Sequence, residues 1–257
     1  MAYLFKDTDL AARRLRVVAN VFSRSTRAFL HDVISEQPEF VIDLGCGPGY
    51  TTHLLDDMLQ SRQVVGLDNS SHFVELAQRT ATQRVKFYLH NVTTIPFPAG
   101  PADLLSCRFL LTHLKDPQAV IERWATQIRP GGLLLMEEVE WIHTDNPLFK
   151  NYLDIQAHML QHNANQLYIG PTLNALGASN NLKKRLSRVY TLPVQTVEVA
   201  LMFSMNIQSW KHQPFIQENY SATLMDQLEQ GLQELTQVPD QKYHNEWGMR
   251  QIAFERV

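Results

Sequence analysis

FVIDLGCGPGYTTHLL, residues 40–55, sets three glycines within five positions directly behind an apolar run. Glycine has no Cβ, so a ligand can approach the backbone there, and a helix opening after the loop offers free N–H groups. A strand that ends in such a loop is a ligand site by construction. Two features narrow the ligand. Asp43 stands two residues before Gly45, and no lysine or arginine occurs from 40 to 60. A triphosphate-binding loop needs Gly-Lys-Ser/Thr, yet Gly49 is followed by Tyr50 and Thr51. A dinucleotide loop needs G-x-G-x-x-G, and Tyr50 stands in the place of the third glycine. A carboxylate beside a bare loop suits a cationic ligand better than a pyrophosphate.

Outward from this loop the apolar pattern has a regular alternation. FVIDLG, QVVGLD, VKFYLH, ADLLSC and GGLLLMEEVE read as buried strands, with helical segments at 51–60, 71–80 and 117–128. Strands alternating with helices predict right-handed βαβ units and a parallel sheet covered on both faces. RPGG at 129–132 reads as a turn before the fifth strand. Upstream, Ala11, Leu15, Val18 and Phe22 share one helical face, and a second short helix is predicted after Ser25. Downstream, 147–168 reads as a helix, 182–199 as a strand, 205–237 as helical, and EWGMRQIAFERV as a last strand.

The spacing Asp43-x-Gly45-x-Gly47-x-Gly49 resembles the first motif of the class I S-adenosylmethionine-dependent methyltransferases. Their ligand carries a sulfonium and an ammonium but no phosphate, which fits the missing Lys and Arg. Asp68 ends the second strand, 23 residues after Gly45, where the resemblance places the cofactor ribose; a carboxylate there can accept from both hydroxyls. FYLHNVTTIPF is similar to the third-strand motif, with His90 and Asn91 where Gly and Asp are usual. The resemblance thus implies adenine contacts at Asn91 and the Val92 N–H, and places Cys107 and Arg108 beside the methionine part. Cys46 and Asn69 complete the implied cofactor set. It further implies a three-layer α/β/α Rossmann-like fold, its seven-stranded sheet ordered 3-2-1-4-5-7-6 with only the last strand antiparallel. The similarity covers about residues 38–140 strongly. The expected organisation is one methyltransferase domain over 1–257, with an N-terminal helical cap (1–37), a cofactor-binding core (38–140), a lid insert (141–181) and a C-terminal part (182–257) with its own helical insert.

Methyl transfer from a sulfonium is an in-line displacement, so the protein mainly supplies alignment and water exclusion. Where the nucleophile arrives protonated, base candidates are His113 after strand four and His143 beyond strand five. Glu137 and Glu138 also qualify, but adjacent strand residues point to opposite faces, so at most one faces the site. His158 and His162 lie four apart on one helix without an accompanying third ligand, and no metal is expected. Ser106-Cys107-Arg108-Phe109 has no proline where amino-methylating enzymes of DNA carry Asn/Asp-Pro-Pro-Tyr/Phe. A small organic acceptor is therefore expected, under a lid carrying Trp141, Phe149, Tyr152, Met159 and Tyr168 together with Met202, Phe203, Met205 and Trp210. A cofactor-binding protein of the same fold that transfers no methyl group, or an RNA or protein methyltransferase, are the competing readings.

Bulk properties agree with the small-molecule reading. The chain has 257 residues, 44% hydrophobic, with a net charge of −3, which supplies no general attraction to nucleic acid. No segment approaches the ~20 apolar residues of a membrane span, and two cysteines are too few for a disulfide framework. A cytoplasmic protein without a membrane partner is expected; the N-terminal helices leave a homodimer open.

Overall fold

A computed structural model describes residues 7–177, 181–238 and 243–257. Segments of the sequence reading that fall at 1–6, 178–180 and 239–242 lie outside the described residues. The elements run α1 (Asp9–Val33), β1 (Phe40–Leu44), α2 (Tyr50–Leu59), β2 (Gln63–Asp68), α3 (Ser71–Gln78), β3 (Val85–Leu89), β4 (Ala102–Arg108), α4 (Pro117–Ala125), β5 (Ile128–Thr144), α5 (Pro147–His162), α6 (Gly170–Ala175), β6 (Leu182–Pro193), α7 (Thr196–Trp210), α8 (Pro214–Asn219), α9 (Ala222–Leu235) and β7 (Asn245–Arg256).

The seven strands form one sheet in the order β3-β2-β1-β4-β5-β7-β6. β1 to β5 pair in parallel, and β7 runs antiparallel to both β5 and β6. All five residues of β1 are buried, as a central strand covered on both faces requires. One core, with Ile42, Leu44, Leu105, Trp124 and Met136, covers one face; another, with Phe29, Val41, Leu55, Val64 and Leu104, covers the other. This is a three-layer α/β/α Rossmann-like fold, with the strand order and antiparallel last strand the resemblance implied. The strand order reverses between β1 and β4, and it is there that loops open a crevice at the carboxyl ends of the strands.

Four local expectations are corrected. α1 is one helix of 25 residues rather than two. Ser25 and Thr26, taken as the start of a second helix, are buried inside it, and their hydroxyls donate to Glu137 instead of capping a new turn. The RPGG turn lies within the span of β5: Ile128 already pairs with Ala102, and the register then jumps to Leu133 opposite Leu104. Gly131 at φ +80° lets that bulge turn. The strand expected at 182–199 stops at Pro193, and a capping box of Gln195 and Glu198 begins α7 at once. The single helical stretch at 205–237 is the end of α7 followed by α8 and α9, broken by Pro214 at the start of α8 and Ser221 as the cap of α9.

α5, α7 and α9 pack over the far end of β5 and β7 around their own apolar cluster. Phe149, Tyr152, Met159 and Trp210 are core of that layer; Tyr152 stacks on Phe203 at 3.9 Å between centroids. Met202 and Phe203 also border the cavity described next. The expected lid residues thus divide between packing and lining.

Candidate functional site

At the crevice a single cavity of about 880 Å³ runs from the glycine loop to the α5–α7 layer. That is near the top of the ~300–1,000 Å³ range of ligand pockets.

The loop end is built by backbone. Gly45, Gly47 and Gly49 have φ of +68°, +52° and +89°, values at which any side chain is strained. Gly49 also lies against the Phe87 ring: a Cβ there would sit 2.7 Å from Cζ and 2.8 Å from Cε1. Gly49→Ala is therefore expected to destabilise by about 3 kcal/mol and lower the melting temperature by roughly 6–12 °C. A calorimetric melt at the parent value would show that the loop tolerates a side chain.

Asp68, at the end of β2, braces this loop from below. Its Oδ2 accepts from Gly47 N at 2.8 Å and its Oδ1 from Ser70 N at 2.9 Å. Burial pushes its pKa up, and those two N–H bonds pull against it. Asp43 takes a different place from the one its motif position suggests. It is only 2% exposed, accepts from Thr52 Oγ1 at 2.7 Å, and does not line the cavity. Burial raises its pKa to about 7, while Thr52 and Arg108 lower it. It ties β1 to the first turn of α2 beneath the loop.

Arg108 ends β4 at the same end of the cavity. Its guanidinium donates to Thr26 Oγ1 at 2.9 Å and Thr51 Oγ1 at 3.0 Å. Burial pulls its pKa down, with Glu137 and Asp43 opposing. The next residue, Phe109, holds a positive φ of 54°, a strained setting for an aromatic residue. It turns the chain so that Phe109 meets Phe22 edge-on at 4.8 Å and lines the cavity.

Cys46, Asn69, Asn91, Val92 and Arg108 line the cavity together with Gly45, Gly47 and Asp68; Gly49 and Cys107 do not. Cys107 is buried beneath, its thiol pushed well up by that burial, as is that of Cys46. The Asn91 Oδ1 accepts from the Thr93 N–H and hydroxyl, which holds the side chain at the rim. The Val92 carbonyl accepts from Trp124 Nε1 at 2.8 Å.

The base candidates separate clearly. His143 is exposed, stacked on Trp141 at 4.2 Å, and lies outside the cavity lining. β5 extends to Thr144 and carries it past the crevice, so its expected catalytic place is not supported. His113 does line the cavity, in a short 3₁₀ turn over Leu111–His113. Burial, with Arg14 nearby, pulls its pKa down to about 4, so it is neutral at pH 7 and a weak proton acceptor. Glu137 faces α1, where Ser25 Oγ and Thr26 Oγ1 donate at 2.5 Å each and Gln251 Nε2 at 2.8 Å. Glu138 faces the other way and lines the cavity. His158 contacts the Tyr220 hydroxyl and His162 stacks on Phe215.

Glu138 carries a clear electrostatic signature. Its Oε1 accepts from the N–H groups of Leu110 and Leu111, both at 2.7 Å. Burial, aided by Glu137, nonetheless raises its pKa to about 8. A carboxyl raised from 4.5 holds its proton in the folded state while the unfolded chain has lost it. Its stabilising contribution is therefore full below about pH 4.5 and declines as pH rises to about 8, by roughly 1.4 kcal/mol per pH unit. Glu138→Gln does not titrate, so its stability relative to the parent should increase between pH 5 and pH 8. Urea midpoints at the two pH values read that difference; no change would place the Glu138 pKa in the ordinary range.

Residues 41–132 match the protein family described as "Methyltransferase domain". A ubiquinone biosynthesis O-methyltransferase of Coxiella burnetii is 29% identical over 130 residues, covering 49% of this chain and 51% of the relative. Methyltransferase str3 of Strobilurus tenacellus is 25% identical over 206 residues, 77% of this chain and 70% of the relative. The chain spans about a third to a half of the length of several of the curated relatives it matches. Among solved structures, coclaurine N-methyltransferase bound to N-methylheliamine and SAH superposes with a TM-score of 0.55 at 14% identity, over 91% of this chain and 72% of that one.

Proposed function

We propose that this chain, a member of the class I S-adenosylmethionine-dependent methyltransferases, moves a methyl group from S-adenosylmethionine to a small organic molecule. The observation that carries this reading is one continuous cavity with two unlike ends. The glycine loop, Asp68 and Arg108 form one end; apolar residues and buried amides from β5, α5 and α7 form the other.

The residues present fit the cofactor. Backbone at positive φ leaves the loop open to a ligand, the Asp68 carboxylate has capacity for ribose hydroxyls, and Arg108 matches a carboxylate. When bound, S-adenosylmethionine supplies an electrophilic methyl group. The chain's own part is to orient the acceptor along one line and exclude water, to which Phe22, Phe109 and Phe203 contribute apolar wall. The acceptor reading draws support from the apolar and amide-rich far end. The net charge of −3 disfavours a phosphate backbone.

Titration calorimetry with S-adenosylmethionine, followed by an S-adenosylhomocysteine-release assay over a metabolite panel, tests the reading. Binding together with turnover on a small molecule is expected. Binding with no turnover would favour a cofactor-binding protein, and salt-sensitive RNA binding would favour the RNA reading.

A further inference from the structure

The far end of the cavity holds three buried oxygens without a hydrogen-bond partner among the described residues: Glu138 Oε2, Asn165 Oδ1 and Asn206 Oδ1. Their residues are 1%, 6% and 4% exposed. Leaving a buried polar atom unpaired carries an energetic cost, and native proteins rarely leave several along one wall. Two of the three are held in place by their other polar atoms. Glu138 Oε1 is pinned by two N–H groups, which leaves Oε2 as the carboxyl's open atom. Asn206 Nδ2 donates to the Tyr152 hydroxyl at 2.6 Å, which commits that end of the amide and leaves Oδ1 over. The wall between them is apolar, made by Val139, Ile142, Met202 and Trp247. The complement of this surface is a mostly apolar molecule with hydrogen-bond donors at separated points.

Resting on the methyl-transfer reading above, we propose that the acceptor is an apolar, ring-sized molecule bearing a hydroxyl or amino group, and that Glu138 Oε2 takes the proton of that group as it is methylated. The O–H or N–H bond breaks and its proton passes to Oε2. A lone pair of that oxygen or nitrogen forms the new bond to the methyl carbon, the pair from the broken O–H or N–H bond stays on the same atom, and the carbon–sulfur bond breaks with its pair remaining on sulfur. No oxidant, reductant or metal enters this balance.

The charged neighbours leave Glu138 free for that role. On its own strand Glu137 points to the opposite face, clamped by Ser25, Thr26 and Gln251. On β7, Arg250 stands opposite Glu138 in register but is held by both oxygens of Glu140. On β4, Arg108 pairs in register with Glu137 and donates to Thr26 and Thr51 at the loop end of the cavity, and the Cys107 thiol stays protonated. His113, in the turn after β4, is neutral at pH 7. A proton acceptor works best when its pKa lies near the operating pH, and the raised pKa of Glu138 places it there.

The test uses the full chain and three related probes: naphthol, naphthylamine and naphthoate. Calorimetry with S-adenosylhomocysteine comes first; failure to bind it would sink the methyl-transfer reading itself and is thereby separated from failure of this proposal. Turnover is expected on naphthol or naphthylamine, rising with pH to a plateau above about 8. Glu138→Gln should keep S-adenosylhomocysteine affinity within about twofold, lose turnover by at least about 100-fold, and lose the rising limb. Its urea midpoint gain at pH 8 over pH 5 supplies a readout independent of activity and shows that the variant is folded. Three results overturn the proposal: turnover by Glu138→Gln within threefold of the parent, turnover confined to naphthoate, or no turnover on either donor probe by a protein that binds S-adenosylhomocysteine.

Discussion

Asp68→Ala should weaken S-adenosylmethionine binding by about 100-fold or more, measured by calorimetry. Two charge-assisted hydrogen bonds to ribose hydroxyls are each worth ~1.5–3 kcal/mol, and 1.4 kcal/mol is a factor of ten in affinity. The structure adds a second loss. The same carboxylate holds the Gly47 and Ser70 N–H groups, so its removal also loosens the glycine loop. Asp68→Asn retains one acceptor and should lose less. The two effects can be told apart: a loosened loop alone lowers the melting temperature without cofactor, whereas a lost ribose contact lowers only the stabilisation that cofactor adds. An Asp68→Ala protein that binds as tightly as the parent would remove Asp68 from the cofactor site.

Glu137→Ala should have the largest effect on stability, about 4 kcal/mol, or roughly 8–16 °C in melting temperature. Glu137 is 2% exposed and gathers three donors from two elements: Ser25 and Thr26 of α1, and Gln251 of β7. Truncation removes the acceptor these three share in the core and undoes the contact that seats α1 on the sheet; Gln251 Nε2 keeps only Ser25 and Thr26 Oγ1 only the Phe22 carbonyl as acceptors. Because Thr26 also receives Arg108, the variant should lose cofactor affinity as a secondary effect. Glu137→Gln keeps the shape but turns one acceptor into a donor facing hydroxyls, so it should fall between parent and Ala. A melt within about 1 kcal/mol of the parent would show that α1 is anchored elsewhere.

Local sequence chemistry carried the order of strands and helices from β1 to β5. The apolar runs are short, bounded by Gly, Pro and Asp, and separated by amphipathic stretches, so their reading does not depend on distant residues. The glycine loop was legible for the same reason: Gly45, Gly47 and Gly49 answer to backbone angles that hold in any surroundings. The residues after β5 were harder. Whether 196–199 extends a strand or starts a helix is decided by the Gln195–Glu198 capping box against β7's pairing, a balance no hydrophobic period records. Ser25 and Thr26 show the same limit. Alone they read as a helix start, and only the arrival of Glu137, more than a hundred residues away in the chain, gives their hydroxyls a better partner.

The same division runs through the site. The family resemblance marked Asp68, Asn91, Val92 and Arg108, each at or just after the end of a strand. Sequence alone could not rank Glu137 against Glu138, since alternation says only that two neighbours face opposite ways. Tertiary packing made that choice: α1 covers one face of β5 and claims Glu137, while the chain after β4 turns at Phe109 and offers Glu138 two N–H groups beside the cavity. His143 was set aside by the length of β5, and Asp43 by its burial under α2. Backbone angles, caps and apolar periods are local and can be read along the chain. Which carboxyl is buried, paired or left open depends on what else arrives beside it, and that is set only when the layers close.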